Sequence, residues 1–184
     1  MIGNDIVDLQ LAEKESDWKR PGFLEKQFTL DERQLISNSE NPFQLVWLFW
    51  SMKESAYKIW VQKNNKRKFS PQSFQCKLNS DDKGIVVYEN HKYYTFSIID
   101  GYYIFTQASV EKDLNAFSLI GSPIRMEKEL KKRLEEKTGF SASEIEKRKS
   151  SLGVPNFYHK EKRLTKSCSI SHHGNYGAFS LLIE

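Results

Sequence analysis

The sequence predicts an α+β fold in which an antiparallel sheet packs against a long buried helix. Three observations lead to this prediction. Residues 42–63 have the apolar periodicity of one long helix, and residues 73–110 alternate apolar and polar side chains in short runs, as an antiparallel meander does. The third is the order of elements: strand, helices, sheet, helices, sheet. This order is typical of α+β proteins and differs from the repeating strand and helix of a parallel sheet.

The composition is that of a globular protein. The chain has 184 residues, 39% of them hydrophobic, which is enough to bury one core or two small lobes, so we expect a single domain over residues 1–184. The formal charge of +4, with Lys and Arg clustered after Gly121, favours an anionic partner. The N-terminal segment MIGNDIVD contains acidic residues, which is unlike a signal peptide. The two cysteines lack the spacing of a zinc site. We therefore expect a cytoplasmic protein that has no signal peptide and no contact with a membrane.

The first half of the chain is predicted to begin with a strand and continue with helices. GNDIVDLQL opens with a β-branched run suited to a short strand, and EKESDWKRPG is predicted to be a polar loop. Thr29 and Glu32 form a capping box ahead of a short helix at residues 30–38. Asn41 as N-cap and Pro42 at the first helical position then start the long helix, which ends in the basic run KNNKRK.

The last third is predicted to contain two helices and two strands. A charged helix spans residues 124–137, with Gly139 as its stop. Ser141 and Glu144 form a second capping box, which predicts a shorter basic helix. The tail KSCSISHHGNYGAFSLLIE is predicted to form two strands joined by the turn HHGNYG.

Glu54 is the residue that fits the long helix least well. One apolar face of this helix contains Leu45, Phe49, Met52, Ala56 and Ile59, and a second stripe contains Trp47, Trp50 and Val61 together with Glu54. An ionised carboxylate in such a stripe is costly unless a cation or hydrogen-bond donors compensate it. The simplest partner is Lys58, four residues on. The alternative is a metal ion that Glu54 shares with a second carboxylate.

The segment GNDIVD offers that second carboxylate. Residues three apart on a strand face opposite sides, so Asp5 and Asp8 cannot both serve one site. Gly3 beside Asp5 would let a ligand approach the backbone closely, whereas Asp8 is expected to be a solvated strand end. Mg²⁺ takes one or two protein carboxylates and completes its shell with water and phosphate oxygens, so Asp5 and Glu54 would suit it. A turn or cap role remains the alternative for Asp5.

The segment SISHHG combines groups that can bind an anion. Ser171, His172, His173 and Gly174 come at the end of a strand, where hydroxyl, imidazole and free backbone N–H groups can meet. The alternative is a turn with one packed and one exposed histidine. Other classes of site are disfavoured, because the chain has no GxSxG elbow and no phosphate-binding glycine loop. Since KNNKRK and HKEKRL have few interleaved aromatic residues, we expect no nucleic-acid partner.

In this order along the chain, GNDIVDL, FTLDE, WSMKESAYK and SISHHG resemble the 4′-phosphopantetheinyl transferase superfamily. The resemblance spans most of the chain and is weakest over residues 111–150. It implies the family's α+β fold and an enzyme that transfers 4′-phosphopantetheine from coenzyme A to a serine of an apo acyl or peptidyl carrier protein. Mg²⁺, or alternatively Mn²⁺, would bind the pyrophosphate, and adenosine 3′,5′-bisphosphate would be released. The pathway would be fatty acid, polyketide or peptide synthesis. The alternative function is a non-catalytic module on the same fold that binds coenzyme A or a carrier protein.

The resemblance also implies roles for eight residues. Asp5 and Glu54 would be the magnesium ligands. Lys58 would be the lysine near the transferred phosphate, with Lys53 as a further phosphate contact. Ser171 and His172 would bind the coenzyme A phosphates, and the loop near the adenine would contain Gly153 and Pro155. Glu54 would also accept the proton of the carrier serine, directly or through a metal-bound water.

Two departures from the family pattern change these expectations. Val7 and Val154 stand where larger members carry a second acid and a lysine, so a third carboxylate ligand is not expected. The SH motif follows the aspartate motif, as in the short acyl-carrier-protein synthases, which form trimers with sites shared between subunits. We therefore expect a homo-oligomer, with a trimer favoured. The basic helices expected after Gly121 would dock an acidic carrier protein.

Overall fold

The computed structural model describes residues 1–112, 114 and 116–183. The α-helices of this part of the chain are α1 Leu9–Glu15, α2 Phe23–Gln27, α3 Leu30–Ser37, α4 Pro42–Asn64 and α5 Met126–Thr138. The strands are β1 Ile2–Asp8, β2 Gln75–Leu78, β3 Lys83–Tyr88, β4 His91–Ile99, β5 Tyr103–Ser109, β6 Phe117–Gly121, β7 Ile145–Lys149, β8 Pro155–His159, β9 Lys162–Arg163, β10 Thr165–His173 and β11 Tyr176–Ile183.

The strands form three antiparallel sheets. The first sheet has five strands in the order β1-β5-β4-β3-β2, the second has the order β10-β11-β6, and the third has the order β7-β8-β9. Each neighbouring pair within these sheets is antiparallel. The α+β class and the antiparallel character of the sheets are thus confirmed.

Helix α4 and the five-stranded sheet share one hydrophobic core. Asn41 caps the helix, since its side chain accepts a hydrogen bond from the Gln44 N–H at 3.1 Å, and Asn65 ends it in the left-handed conformation with φ 49°. Side chains buried in the core are contributed by the helix and by the sheet, among them Phe49, Met52, Ala56, Ile59, Val86, Tyr93, Ile104 and Ala108. This core fixes the helix that carries Glu54 against strand β1.

The other side of α4 is apolar because it packs against a cluster of aromatic side chains. Half-buried aromatic side chains pack there into a cluster with the fully buried Phe74: Trp50, Tyr57, Trp60, Phe69 and Tyr88. The ring centroids of Tyr57 and Phe69 lie 4.5 Å apart, and those of Phe74 and Tyr88 lie 4.3 Å apart. Each of the five half-buried rings keeps part of its surface accessible. Glu54 therefore borders an aromatic cluster on a half-buried face.

A second core lies between α5 and the C-terminal strands. The apolar seam of α5 (Met126, Leu130, Leu134) packs with Ile145, Phe157, Cys168 and Phe179. Gly139 ends the helix with φ 76°, as the sequence predicts. No helix in the described residues is both long and apolar enough to cross a membrane.

Strand β1 links the two cores through side chains of β10. The N–H groups of Ile2 and Asn4 donate to Ser167 Oγ at 3.0 Å and Ser169 Oγ at 2.9 Å, and the N–H of Asp8 donates to His173 Nδ1 at 2.9 Å. Small hydroxyl side chains thus satisfy the free edge of β1, where unpaired backbone groups would be costly. The two strands hold a fixed register along their length.

Two local predictions are wrong. The predicted loop EKESDWKRPG overlaps helix α1, which forms because Asp8 Oδ1 accepts a hydrogen bond from the Leu11 N–H at 3.1 Å and so caps it. The predicted basic helix after Ser141 is a single 3₁₀ turn followed by strand β7. Ser141 Oγ bonds the Ser143 N–H rather than closing a capping box, and Ile145 is buried in the second core. By contrast, the capping box of Thr29 and Glu32 is confirmed.

Candidate active site

The cavity beside Glu54 has a volume of about 340 Å³ and lies between α4, strand β10 and the loop before β8. Helix α4 contributes Glu54, Tyr57, Lys58, Val61 and Gln62 to its wall. These positions follow the three- and four-residue spacing of one helix face. The cavity thus brings the acid singled out in the sequence together with segments about 100 to 115 residues further along the chain.

Strand β1 places Asp5 against this face of the helix. A Cβ atom on Gly3 would collide with the Ser55 carbonyl oxygen and would crowd Lys58. Glycine at this position therefore allows close approach of the helix, and not of a ligand as the sequence suggested. As a result Lys58 Nζ donates to Asp5 Oδ1 at 3.0 Å and to the Asn4 carbonyl oxygen at 2.7 Å.

Glu54 is the acid whose ionisation is most affected by these surroundings. The pKa of Glu54 is raised from 4.5 to about 7, mainly by burial and also by the negative charge of Asp5, while Lys58 acts in the opposite direction. The ion pair of Lys58 is with Asp5, at 3.0 Å, so the helical pairing of Glu54 with Lys58 expected as the simplest case does not form. Glu54 is left with a deficit of positive charge at the wall of a cavity.

Lys53 does not line this cavity. The prediction that Lys53 contacts a phosphate there is therefore wrong. Its side chain is fully buried, and Nζ donates to both carboxylate oxygens of Glu32 at 2.9 and 2.8 Å. Nζ also contacts the carbonyl oxygens of Pro71 at 2.9 Å and Phe74 at 2.7 Å. An ammonium group has three hydrogens to donate, so none remains for a phosphate. Spacing could not foresee this, because Lys53 and Glu54 are neighbours that leave the helix in different directions.

The loop at residues 150–155 forms the opposite wall, and it includes both predicted residues, Gly153 and Pro155. Ser150 organises the loop, because its Oγ accepts from the N–H groups of Leu152 and Val154. Gly153 adopts φ 82°, a conformation that favours glycine. The loop is therefore held in a defined shape at the cavity wall.

Arg67 is a cavity residue that the sequence reasoning missed. Its Nη2 donates to the Leu152 carbonyl oxygen at 2.6 Å, so that the residues following α4 hold the 150–155 loop across the cavity. The run KNNKRK lacks the interleaved aromatic residues of a nucleic-acid site, and Arg67 within it is exposed. The signal that could have found it is Asn65, whose left-handed conformation turns the chain back at the end of α4.

Ser171 and His172 lie further along β10 than the residues that line the cavity, which are Cys168, Ser169 and Ile170. Ser171 Oγ is buried and has no hydrogen-bond partner within the described residues, while His172 is exposed. Strands β1 and β10 are held in register by the contacts of Asn4 with Ser169 and of Asp8 with His173. This register places Ser171 at the level of Ile6, one residue beyond Asp5. The phosphate roles of both residues stay predictions.

Asp8 fastens the turn that follows these residues, so it is not the solvated strand end that the sequence suggested. Its carboxylate is buried and accepts from the N–H of Asn175 at 3.0 Å as well as from that of Leu11. Burial acts to raise the pKa of Asp8, but these hydrogen bonds and the nearby His173 outweigh it and lower the pKa. A Cβ atom on Gly174 would overlap the Asp8 carboxylate, so this turn requires glycine.

The paired carboxylates Asp5 and Glu54 fit a divalent cation. Burial is the main cause of the raised pKa of Glu54 and the negative charge of Asp5 adds to it, so a cation bound by both carboxylates would stabilise ionised Glu54. Among the residues that the structure describes, no group of three or more His, Cys, Asp or Glu forms a metal cluster. Two carboxylates match the needs of Mg²⁺, which keeps several waters and binds substrate phosphate oxygens.

Comparison with known proteins supports the family resemblance over the first part of the chain. A family model described as 4′-phosphopantetheinyl transferase superfamily matches residues 1–108. The chain is 38% identical over 58 residues to a holo-[acyl-carrier-protein] synthase of Caldanaerobacter subterraneus subsp. tengcongensis, a match that spans 32% of this chain and 45% of that protein. The crystal structure of the Helicobacter pylori holo-[acyl-carrier-protein] synthase in complex with coenzyme A aligns over 100% of both chains, with 15% identity and a TM-score of 0.26.

Proposed function

The chain belongs to the 4′-phosphopantetheinyl transferase superfamily, and we propose that it transfers 4′-phosphopantetheine from coenzyme A to a serine of an apo carrier protein. The observation that carries this proposal is the cavity in which Glu54 and Lys58 face the loop of Gly153 and Pro155, with Asp5 bound to Lys58. An acid of raised pKa, a lysine and a shaped loop in one cavity are the groups that phosphoryl transfer needs.

In the proposed reaction the serine oxygen attacks the β-phosphorus of coenzyme A. The bond from that phosphorus to the bridging oxygen breaks, and adenosine 3′,5′-bisphosphate leaves with the electron pair. Lys58 stabilises the charge that develops on the phosphate oxygens, and its contact with Asp5 fixes where its ammonium group lies. Glu54, directly or through a water molecule, accepts the serine proton; its pKa of about 7 belongs to the protein without a metal, and Mg²⁺ bound to Glu54 would lower it.

Asp5 and Glu54 would hold Mg²⁺. When bound, the ion would neutralise pyrophosphate charge and so favour attack on phosphorus. Strand β1 and helix α4 carry these two residues, and the close contact at Gly3 keeps strand and helix together. The ligands therefore sit on rigid elements, as a precise metal site requires.

The nucleotide end of coenzyme A would lie along the 150–155 loop. Gly153 and Pro155 offer a surface for the adenine, and Arg67, which fastens the loop, is a cation in the same wall. Ser171 and His172 would contact phosphates from β10. The pantetheine arm would leave the cavity toward the carrier.

The direct test is a transfer assay with coenzyme A, Mg²⁺ and several apo carrier proteins, read as the phosphopantetheine mass increment. Asp5→Ala and Glu54→Gln should each lower the rate at least about a thousandfold, as loss of a metal ligand and base does. Glu15→Gln, which changes an exposed acid of α1, is the matched control and should transfer at the wild-type rate. Wild-type turnover in Glu54→Gln would refute the assignment.

Metal binding offers a second measurement that is independent of turnover. Mg²⁺ should raise the melting temperature of the wild type more at pH 8 than at pH 6, because Glu54 must be ionised to bind it. Glu54→Gln should lose this response. If coenzyme A binds tightly but no carrier gains mass, the alternative of a non-catalytic coenzyme A-binding or carrier-binding module is favoured instead.

The cavity takes residues from distant parts of one chain, from α4 and from β10. The protein is proposed to act in the cytoplasm and to form a single domain over residues 1–184. For the assembly, a trimer with sites shared between subunits stays our prediction. Light scattering coupled to size exclusion measures the assembly directly. A monodisperse, fully active monomer would refute the trimer.

A further inference from the structure

The third sheet and the strand that follows it carry an excess of positive charge next to the cavity. Between residues 145 and 166 the sequence has seven Lys or Arg and two Glu. Two of these cations are neutralised within the described residues: Lys147 pairs with Glu127 of α5 at 2.6 Å, and Arg148 pairs with Glu146 and Glu161 at 3.1 and 3.2 Å. The segment therefore presents more cations than its own carboxylates can neutralise.

Five cations remain exposed around this sheet: Lys149, Lys160, Lys162, Arg163 and Lys166. No carboxylate of the described residues forms an ion pair with them. We call these five residues the cationic rim. Several like charges at one place raise the local potential more than isolated lysines do.

The cationic rim begins at the wall of the cavity. Lys149 is paired in register with Pro155, which lines the cavity, and Arg67 holds the intervening loop from the other side. From Pro155 the rim follows β8 to the hairpin that carries Lys160 and Lys162, about 13 Å away at the rise of an antiparallel strand. A partner seated on this surface would thus lie against the opening where coenzyme A is proposed to bind.

Part of the rim is held in place by backbone contacts. The Arg163 guanidinium donates to the carbonyl oxygens of Thr165 at 2.6 Å and Lys166 at 3.2 Å, and the Lys162 ammonium lies 5.4 Å from the centroid of the Phe140 ring. Charges on a paired sheet are better ordered than charges on a loose loop, so less entropy is lost when they bind a partner.

We propose that the cationic rim is the docking surface for the acidic face of the carrier protein. This inference rests on the proposed function, because a carrier must present its serine at the cavity. It differs from the docking on the basic helices after Gly121 that the sequence suggested, since α5 forms but the second of these helices is replaced by β7 of the third sheet. An acidic protein is favoured over a nucleic acid, because the rim lacks the exposed aromatic platforms that single strands stack on: Tyr158 is half-buried, and its ring lies under the Arg148 guanidinium at 4.7 Å.

The test is direct binding of a fluorescently labelled apo acyl carrier protein, measured by anisotropy without coenzyme A. Lys160→Gln, Lys162→Gln and Lys166→Gln are combined in one variant. The matched control combines Lys77→Gln, Lys83→Gln and Lys92→Gln, three exposed lysines on β2, β3 and β4 that change the charge by the same amount. The rim variant should bind about tenfold more weakly at low salt, and the control about as well as the wild type.

Added salt should weaken wild-type binding more than it weakens binding by the rim variant, because exposed charges are screened. Unchanged affinity in the rim variant, or an equal loss in the control, overturns the proposal. A labelled single-stranded RNA that binds the wild type more tightly than the carrier does, and that loses affinity in the rim variant, overturns it in favour of a nucleic acid.

This design separates the docking surface from the transfer reaction. Charge-dependent carrier binding without any transfer by the wild type supports the rim and refutes the proposed function. Transfer by the rim variant with an unchanged KM for the carrier refutes the rim alone. The KM for coenzyme A should stay the same in both variants, since none of the six lysines lines the cavity.

Discussion

Two lysines on helix α4, five positions apart, each pair with a carboxylate in opposite circumstances. Lys53 Nζ lies 2.8 Å from Glu32, and the two side chains are 0% and 2% exposed. Lys58 Nζ lies 3.0 Å from Asp5, and these side chains are 29% and 14% exposed. The first pair is closed on all sides by protein acceptors, whereas the second opens onto a cavity. Similar chemical groups are therefore structural in one place and available for chemistry in the other.

The closed pair should dominate stability. Glu32→Gln leaves the Lys53 ammonium buried without a counter-charge and weakens the acceptor of the Thr29 and Cys76 N–H groups. Breaking a buried pair on one side costs about 3–5 kcal/mol, so we expect a loss of that size in the free energy of unfolding, measured with urea. Glu25→Gln is the control, since Glu25 and Arg33 form an exposed pair at 3.6 Å. A loss below about 1 kcal/mol would show that the pair is not closed.

Glu54, which lies beside the open pair of Lys58 and Asp5, should instead control how stability depends on pH. The folded-state pKa of Glu54 is raised from 4.5 to about 7, so burial destabilises the ionised form. The stability that neutral Glu54 provides is fully present below pH 4.5 and is lost as the pH rises through about 7. At pH 8 without metal, Glu54→Gln should therefore be more stable than the wild type by on the order of 2–3 kcal/mol.

The measurement is urea unfolding in a chelating buffer at several pH values between 5 and 8. At pH 5 the two proteins should differ little, because wild-type Glu54 is then mostly neutral. Glu89→Gln, a change to an exposed acid, is the control and should show no such divergence. A difference between Glu54→Gln and wild type that is the same at pH 5 and pH 8 would contradict the raised pKa.

The sequence predicted the elements of this site better than their contacts. Helical periodicity placed Glu54 and Lys58 on one helix, and the caps at Asn41 and Thr29 were confirmed, because these signals are local. Family resemblance supplied the loop of Gly153 and Pro155, which no local pattern links to α4. What could not be predicted depends on tertiary contacts, such as the enclosure of Lys53 by residues 18 to 21 positions away.

Strand β1 carries two aspartates, Asp5 and Asp8, that differ in the same way as the two lysine pairs: one lies near the cavity and the other is enclosed by protein. Asp5 faces Lys58 near the cavity, whereas Asp8 is buried and fastens the Gly174 turn and α1. Asp8→Asn should cost about 1–2 kcal/mol, because an amide offers one acceptor oxygen where the carboxylate accepts two N–H groups. The folded-state pKa of Asp8 is lowered, so its stabilisation is present above pH 3.8 and is lost as the pH falls through the folded-state value.

This prediction is checked by comparing the unfolding of Asp8→Asn and wild type from pH 7 down to pH 2. The difference should shrink at the acid end, since the wild type then loses the charge that the variant lacks. Asp17→Asn, which changes an exposed aspartate after α1, should follow the wild type throughout. A gap that persists unchanged at pH 2 would mean that the packing of Asp8, and not its charge, holds the turn.

The smallest effect on stability should come from Lys58, although it is the lysine closest to the proposed chemistry. Lys58→Met removes a partly exposed ion pair and the contact to the Asn4 carbonyl oxygen, which together stabilise by about 1 kcal/mol or less. Since Lys58 lowers the pKa of Glu54, its loss should move the Glu54 titration to higher pH, as followed by the carboxyl ¹³C resonance. Lys53→Met, in contrast, should destabilise strongly. If the two variants lost equal stability, the open pair would be a structural pair as well, which would count against a role of Lys58 in binding a phosphate.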